Sequence, residues 1–388
     1  MRIKSAPGKV SKSISSSNGR LKPAVKIVAK ASTKPAAKST LKVVKKALVK
    51  VNSKPAAKAL AKNTIRTAAK AAPRTTPRSY LGPHATFNTF ANASAKEELP
   101  IIYVNGRMVP KNQATVSVYD HGLLYGDGIF EGIRVYQGKI FKCGQHMERL
   151  WRSAEAIHMK IPLSREAMVQ VLRDCIAANG IVEGYIRLLV TRGYGTLGLD
   201  PRKCPVAGVV CIADQIQLYS KDKYEKGMGI IVAKRPRTPI ACLDPRVKSL
   251  NYLNNILAKV EAIDVGCDEA IMLNIDGYVC ECTGDNIFVI KNGQVFTPPS
   301  DSGILEGITR RFVMDLCTEL NIHCNVKNMT PEEVKGADEV FLTGSAAEII
   351  AVTQIDDIRV GTGIEGVVTR RLREAFRVVV GSANVPED

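Results

Sequence analysis

The sequence has 388 residues, enough for two ordinary domains or for one domain with an appendage. Its net charge of +18 is lopsided: residues 1–95 hold 21 Lys and Arg and no Asp or Glu, leaving 34 basic against 37 acidic residues beyond them. No run approaches the roughly 18 apolar residues of a membrane-spanning helix, and no apolar stretch of signal-peptide length follows the basic start.

Residues 1–97 read as a disordered basic tail. Lys, Ala, Ser, Thr and Pro dominate, aromatics are almost absent, and so little can be buried that ordering the chain is unfavourable. A short unit, Lys22-Pro23-Ala24-Val25-Lys26, returns at Lys34 to Lys38 and at Lys54 to Lys58. Such a block resembles the tails of linker-histone-like proteins, and it would bind polyanions by counterion release without needing a fold. The competing reading is an organellar transit peptide, also poor in acid and rich in Ser.

The body opens with a hairpin. Ile101–Val104 and Met108-Val109 flank Asn105-Gly106, residues that tolerate the positive φ of a two-residue turn. His146–His158 sets Met147, Leu150, Trp151 and Ala154 on one helical stripe. Ser164 caps a second helix running to Asn179 and stopping at Gly180. A strand, Tyr185–Thr191, precedes Gly193-Tyr194-Gly195-Thr196-Leu197-Gly198. That stretch matches a dinucleotide-binding pattern, but Pro201 and Pro205 follow where a helix would have to start, so it reads as a turn-rich loop. Polar residues 219–228 read as a linker. A third helix covers Tyr252–Val265. Hairpins form about Asp276-Gly277 and Asn292-Gly293, Thr330 to Glu333 is a capping box, and Ile364–Val379 is the last helix. Strands and helices mix without strict alternation and the turn signals are antiparallel, so the fold class is α+β.

The ten Cys lie between Cys143 and Cys324, without the spacing of a zinc site, and no metal is expected. They suit a reducing compartment, read as the cytoplasm. Cys280 and Cys282 fall on one strand face as buried thiols. Between them, Glu281 either faces solvent or, if buried, needs a cationic partner. Gly307-Ile308-Thr309 opens an apolar-periodic helix and offers free N–H groups to an anion, or is a plain cap. Gly344-Ser345-Ala346-Ala347 is a second turn of small residues.

Together these segments resemble the fold-type IV pyridoxal-phosphate enzymes and, within them, the branched-chain amino-acid aminotransferases. The motifs that carry the likeness run in order along residues 100–380. They are Asp120 to Arg134, Lys248-Ser249-Leu250-Asn251-Tyr252, Gly284-Asp285-Asn286-Ile287-Phe288, Leu305 to Arg310 and Thr343 to Glu348. The resemblance implies two α/β-mixed domains, 98–218 and 229–382, with pyridoxal 5'-phosphate between them. It implies that Lys248 holds the cofactor covalently and then carries the substrate proton, and that Glu281 pairs with the ring nitrogen. Tyr252 would bond the phenolic oxygen. Arg149, Ile308, Thr309 and Ser345 would hold the phosphate. The Ser345 and Ala346 amides would meet the substrate α-carboxylate, and Phe130, Gly132 and Tyr185 would line the side-chain pocket. Arg187 would reach the distal carboxylate of glutamate. Tyr125 and Leu199 would come from the second subunit of a homodimer.

The implied reaction exchanges the amino group of leucine, isoleucine or valine with 2-oxoglutarate. A D-amino-acid aminotransferase or an aminodeoxychorismate lyase of the same fold is the near alternative, and a nucleic-acid-binding role dominated by the tail is the distant one. Cys282 stands where the family often has Gly, and Ser345 where it usually has Thr.

Overall fold

The computed structural model describes residues 100–388, and the expectations for the basic tail lie outside the described residues. Strand β1 (Ile101–Val104) turns at Asn105-Gly106, both at positive φ, into β2 (Arg107–Pro110). Short α1 (His121–Tyr125) is capped by the Asp120 carboxylate and leads to β3 (Gly128–Tyr136) and β4 (Lys139–Ile140). Helices α2 (Cys143–Ala156) and α3 (Arg165–Ala178) follow. Ser164 Oγ accepts from the Ala167 amide at 3.2 Å, the expected cap. Strands β5 (Gly184–Thr191) and β6 (Gly208–Asp214) complete an antiparallel sheet in the order β2-β1-β6-β5-β3-β4. Met147, Leu150 and Ala154 of α2 bury against it, as the stripe requires, with Trp151 packed at the margin.

The glycine-rich stretch is indeed a loop. Gly193 and Gly198 take positive φ, and only a single 3-10 turn at Pro201–Lys203 follows. Within the stretch expected to link two halves lies α4 (Lys221–Lys226), whose Tyr224 packs with Tyr219 on the second core.

The second sheet begins with β7 (Met228–Val232). A long segment containing Lys248 and α5 (Leu253–Asp264) leads to β8 (Glu269–Leu273), β9 (Val279–Cys282), β10 (Asn286–Lys291) and β11 (Gln294–Thr297). Helix α6 (Ile308–Glu319), β12 (Cys324–Val326) and α7 (Pro331–Lys335) come next, α7 with the full capping box of Thr330 and Glu333. Strands β13 (Glu339–Gly344), β14 (Glu348–Ile355) and β15 (Ile358–Arg359) precede α8 (Val367–Val380).

The strand order is β12-β11-β10-β13-β14-β7-β8-β9, with β15 on β14. The hairpins about Gly277 and Gly293 form as expected. The sheet is nevertheless mixed: β7 runs parallel to both β14 and β8, and β11 parallel to β12. Tight-turn signals report only neighbours in sequence; the parallel pairs are closed by long connections such as the one through α5. The structure keeps the α+β mixture and both families of hairpins.

Candidate active site

A cavity of about 570 Å³ lies between the two sheets, within the usual range for small-molecule sites. Twelve of the fourteen residues singled out from the sequence line it: Phe130, Gly132, Arg149, Tyr185, Arg187, Lys248, Tyr252, Glu281, Ile308, Thr309, Ser345 and Ala346. Tyr125 and Leu199 do not. They are exposed, and Tyr125 Oη instead accepts from the Gly198 amide at 3.0 Å, joining α1 to the glycine-rich loop.

Lys248 is placed by its backbone. Its carbonyl accepts from the Phe130 amide at 2.9 Å, and the Leu250 amide donates to Gly128 O at 2.8 Å, so this segment is stitched to β3. Its amine is 3.0 Å from the Oη of Tyr252, the N-cap of α5, and 4.4 Å from the Phe130 ring centre.

On β3, alternate residues face opposite ways. Phe130 and Gly132 face the cavity, and a Cβ on Gly132 would stand 1.8 Å from Tyr185 Oη, so the close approach of that phenol requires glycine. Arg187, opposite Gly132 on β5, lies over the Phe130 ring at 4.8 Å and donates to Tyr185 Oη at 3.3 Å. It meets no carboxylate among the described residues.

Glu131 faces the other way, onto α2. It receives two bonds from Arg149, at 2.7 and 2.8 Å, and lies 2.7 Å from His146 Nδ1. Burial pushes the Glu131 carboxyl up, but Arg149 and His146 outweigh it and hold the group well below the usual carboxylate range. Arg149 is thereby fixed, with Nη1 donating to the Glu306 carbonyl at 3.0 Å and two N–H groups left over. The sequence reading passed over Glu131 and His146. The signal was present, since Glu131 interrupts an apolar strand just as Glu281 does.

Glu281 is buried, which settles one of its two alternatives, and its cationic partner is Arg237 at 2.6 Å. Asn286 Nδ2 and the Leu305 amide bond its other oxygen at 2.9 and 3.0 Å. Burial raises its pKa, opposed by Arg237. Arg237 lies 44 residues away along the chain, and nothing in its sequence surroundings marks it. Cys280 and Cys282 are free, buried thiols, both raised by burial, Cys280 to about 12.

Helix α6 starts at the cavity with Gly307 as its N-cap. No side chain caps it, so the first amides, Ile308 and Thr309 among them, are left to face an anion. A Cβ on Gly307 would stand 2.0 Å from Asn286 Oδ1, which keeps the residue glycine. Behind Glu281 a further polar group surrounds Glu269, which bonds Thr283 and pairs with Lys259 at 3.2 Å. Asp285, beside it, is raised to about 7 by burial and by Glu269.

The donor set fits pyridoxal phosphate on chemical grounds. It offers an amine for a carbonyl, a phenol beside it, a buried carboxylate for a ring nitrogen, and for a phosphate a helix N-terminus with a guanidinium and hydroxyls.

Comparison with known proteins gives the same answer independently. The amino-transferase class IV family model matches residues 128–355. The chain belongs to this family. Among its members, the branched-chain-amino-acid aminotransferase of Escherichia coli strain K12 is 36% identical over 281 residues, spanning 71% of this chain and 91% of that protein. A Methanocaldococcus jannaschii protein that bears the same name provisionally is 46% identical over 277 residues, 71% of this chain and 95% of that one. The crystal structure of the T.th. branched-chain amino acid aminotransferase with pyridoxamine 5'-phosphate superimposes with a TM-score of 0.71. It is 35% identical and covers 74% of this chain and 96% of the other. This class IV aminotransferase thus falls in the branched-chain group, and its cofactor class is pyridoxal phosphate. Among the described residues no helix is long and apolar enough to cross a membrane.

Proposed function

We propose that this chain transaminates leucine, isoleucine and valine with 2-oxoglutarate, using pyridoxal phosphate held by Lys248. The observation that carries the proposal is one cavity with an amine at its centre, a buried carboxylate on one wall and an aromatic wall bearing the unpaired Arg187. The cofactor, when bound, supplies an electron sink for breaking the substrate Cα–H bond. Lys248 Nζ takes that proton and returns it on the far side of the exchange, with Tyr252 Oη at 3.0 Å to orient the amine. Glu281, kept in place by Arg237, Asn286 and Leu305, holds a proton on the ring nitrogen. Arg149, the amides of Ile308 and Thr309, and the Thr309 and Ser345 hydroxyls hold the phosphate. The Ser345 and Ala346 amides receive the α-carboxylate. Phe130, Gly132 and Tyr185 exclude water around a branched side chain, and Arg187 accepts the second carboxylate when glutamate takes its place.

Residues 98–218 and 229–382, joined through 219–228, are the two domains that close over the cofactor in this proposal. Tyr125 and Leu199 line the cavity of a second copy of the chain, in a homodimer. Their exposure, away from their own cavity, supports that reading. The free cysteines fit the reducing cytoplasm. Residues 1–95, with 21 cations and no carboxylate, bind nucleic acid or another polyanion in addition to the enzymatic role.

The experiment is a panel of L- and D-amino donors with 2-oxoglutarate, run on the wild type and on Lys248→Ala. The proposal expects turnover of L-leucine, L-isoleucine and L-valine. It expects complete loss of turnover in the variant, together with loss of the borohydride-trapped attachment at 248. Preference for D-donors would favour the D-amino-acid aminotransferase, and normal turnover by the variant would remove Lys248 from its role.

A further inference from the structure

The far end of the turn between β13 and β14 is held by residues that do not themselves line the cavity. Glu348 ends it at φ 57°, in the left-handed region that residues with a Cβ rarely adopt. Its Oε1 accepts from Tyr136 Oη at 2.8 Å and from Arg134 Nη2 at 3.2 Å. Those partners sit on the first sheet, more than 200 residues away along the chain. Arg134 and Tyr136 are the next two residues on the face of β3 that presents Phe130 and Gly132 to the cavity. The strand that forms the side-chain pocket therefore also grips the far end of the turn. Arg134 has no second carboxylate among the described residues, and its Nε is buried without a partner. From another side, Tyr224 Oη donates to the Ala347 carbonyl at 3.1 Å. Beneath the turn's start, a Cβ on Gly344 would stand 2.0 Å from Asp285 Oδ1, which leaves the backbone little room to shift.

We infer that Glu348 is a positioning residue for substrate binding. Tied to Arg134 and Tyr136, it fixes the Ser345 and Ala346 amides at a set distance from the side-chain pocket on β3. The inference rests on the reading that these two amides receive the substrate α-carboxylate. Because the tie sets the spacing between carboxylate and side-chain subsites, its loss acts on every substrate, branched or acidic. That separates it from Arg187, which serves one substrate class.

The test is calorimetric binding to the holoenzyme of 4-methylvalerate, the leucine skeleton without its amino group, and of the neutral 4-methylvaleramide. Wild type is expected to prefer the acid. Glu348→Gly suits the left-handed backbone and removes both bonds of the tie, so it should weaken the acid by about tenfold or more, the worth of one charge-assisted bond from the turn amides to the ligand carboxylate, with the amide unchanged. Glu348→Gln, which can still accept from both partners, should recover most of the loss. Arg134→Met removes the ionic half of the tie and leaves the Tyr136 bond, so it should weaken the acid in the same direction and by less, with melting midpoints confirming folded protein in each case. Acid binding in the Gly and Met variants equal to that of wild type overturns the positioning role. A wild type that does not prefer the acid overturns the reading of the turn itself, whatever the variants do.

Discussion

Glu131 on β3 and Glu281 on β9 are both buried, and each meets an arginine from another element. Glu131 takes two bonds from Arg149 and lies against His146, and its pKa falls. Glu281 takes one bond from Arg237 and two from neutral donors, and its pKa rises. Burial pushes both the same way, so the difference lies in the cationic contacts. The first glutamate is a fixed counter-ion that locks Arg149 in place. The second is a carboxylate whose charge the fold stabilises less, at the wall where a ring nitrogen would sit. A buried Glu–Arg pair is thus not one kind of object: each glutamate has three hydrogen-bond contacts, and the number of bonds that come from arginine distinguishes a brace from a working group.

Neutral replacements break or sharpen this contrast. Glu131→Gln strips Arg149 of its counter-ion and should cost about 3–5 kcal/mol of stability in urea unfolding. Glu281→Gln should cost less stability, because its charged form gains less from the fold, yet lower kcat by about 100-fold or more. The opposite ranking in stability would end the distinction.

Asp285 extends the comparison to a third buried carboxylate, one without an arginine. Its folded pKa, about 7, lies above the unfolded value, so the native state binds this proton more tightly. Its contribution to stability is greatest in acid and declines as pH rises between about 4 and 7. Asp285→Asn should flatten that decline, by on the order of a few kcal/mol, in melting curves compared at pH 5 and pH 8. An unchanged pH profile would assign the proton elsewhere.

Arg187 is a cavity-lining cation that meets no carboxylate among the described residues. Arg187→Leu should raise KM for glutamate or 2-oxoglutarate roughly 30- to 150-fold, the worth of one charged contact, and raise it far less for leucine. Equal losses for both would put the selectivity elsewhere. The smallest effect belongs to the basic segment. Deleting residues 1–95 should leave kcat within about twofold, under roughly 0.5 kcal/mol of barrier. The same deletion should remove most binding to DNA or RNA, binding that falls steeply with salt in the full chain. An intact native chain whose nucleic-acid affinity survives the deletion would remove the polyanion proposal, and a native chain starting near Ser79–Glu97 would indicate targeting.

What could be read in the sequence followed the range of the forces involved. Caps at Ser164 and Thr330 and turns at Asn105, Gly277 and Asn292 are local chemistry and form as expected. The stripe on α2 is nearly as local. Parallel pairing of β7 with β14 and β8 depends on distant partners and gave no sign. Within the site, resemblance supplied the residues that would touch cofactor and substrate. It did not supply Arg237, Glu131, His146 or the tie from Glu348 to Arg134, which are set by packing between elements far apart in the chain. Burial logic applied to Glu281 was equally available for Glu131, because an acid inside an apolar strand must be compensated wherever it occurs.

The stitching of Lys248 to β3 has a mechanical side. Phe130 N and Leu250 N fasten the lysine segment to the first sheet, while the carboxylate and helix N-terminus proposed for the cofactor belong to the second. A molecule bonded to the amine and gripped at its phosphate would span the two halves as a strut. Loading and folding are then coupled by mass action: each tenfold excess of such a ligand over its dissociation constant would add about 1.4 kcal/mol against the sheets coming apart. Cofactor supply would in that way govern the lifetime of the protein as well as its turnover.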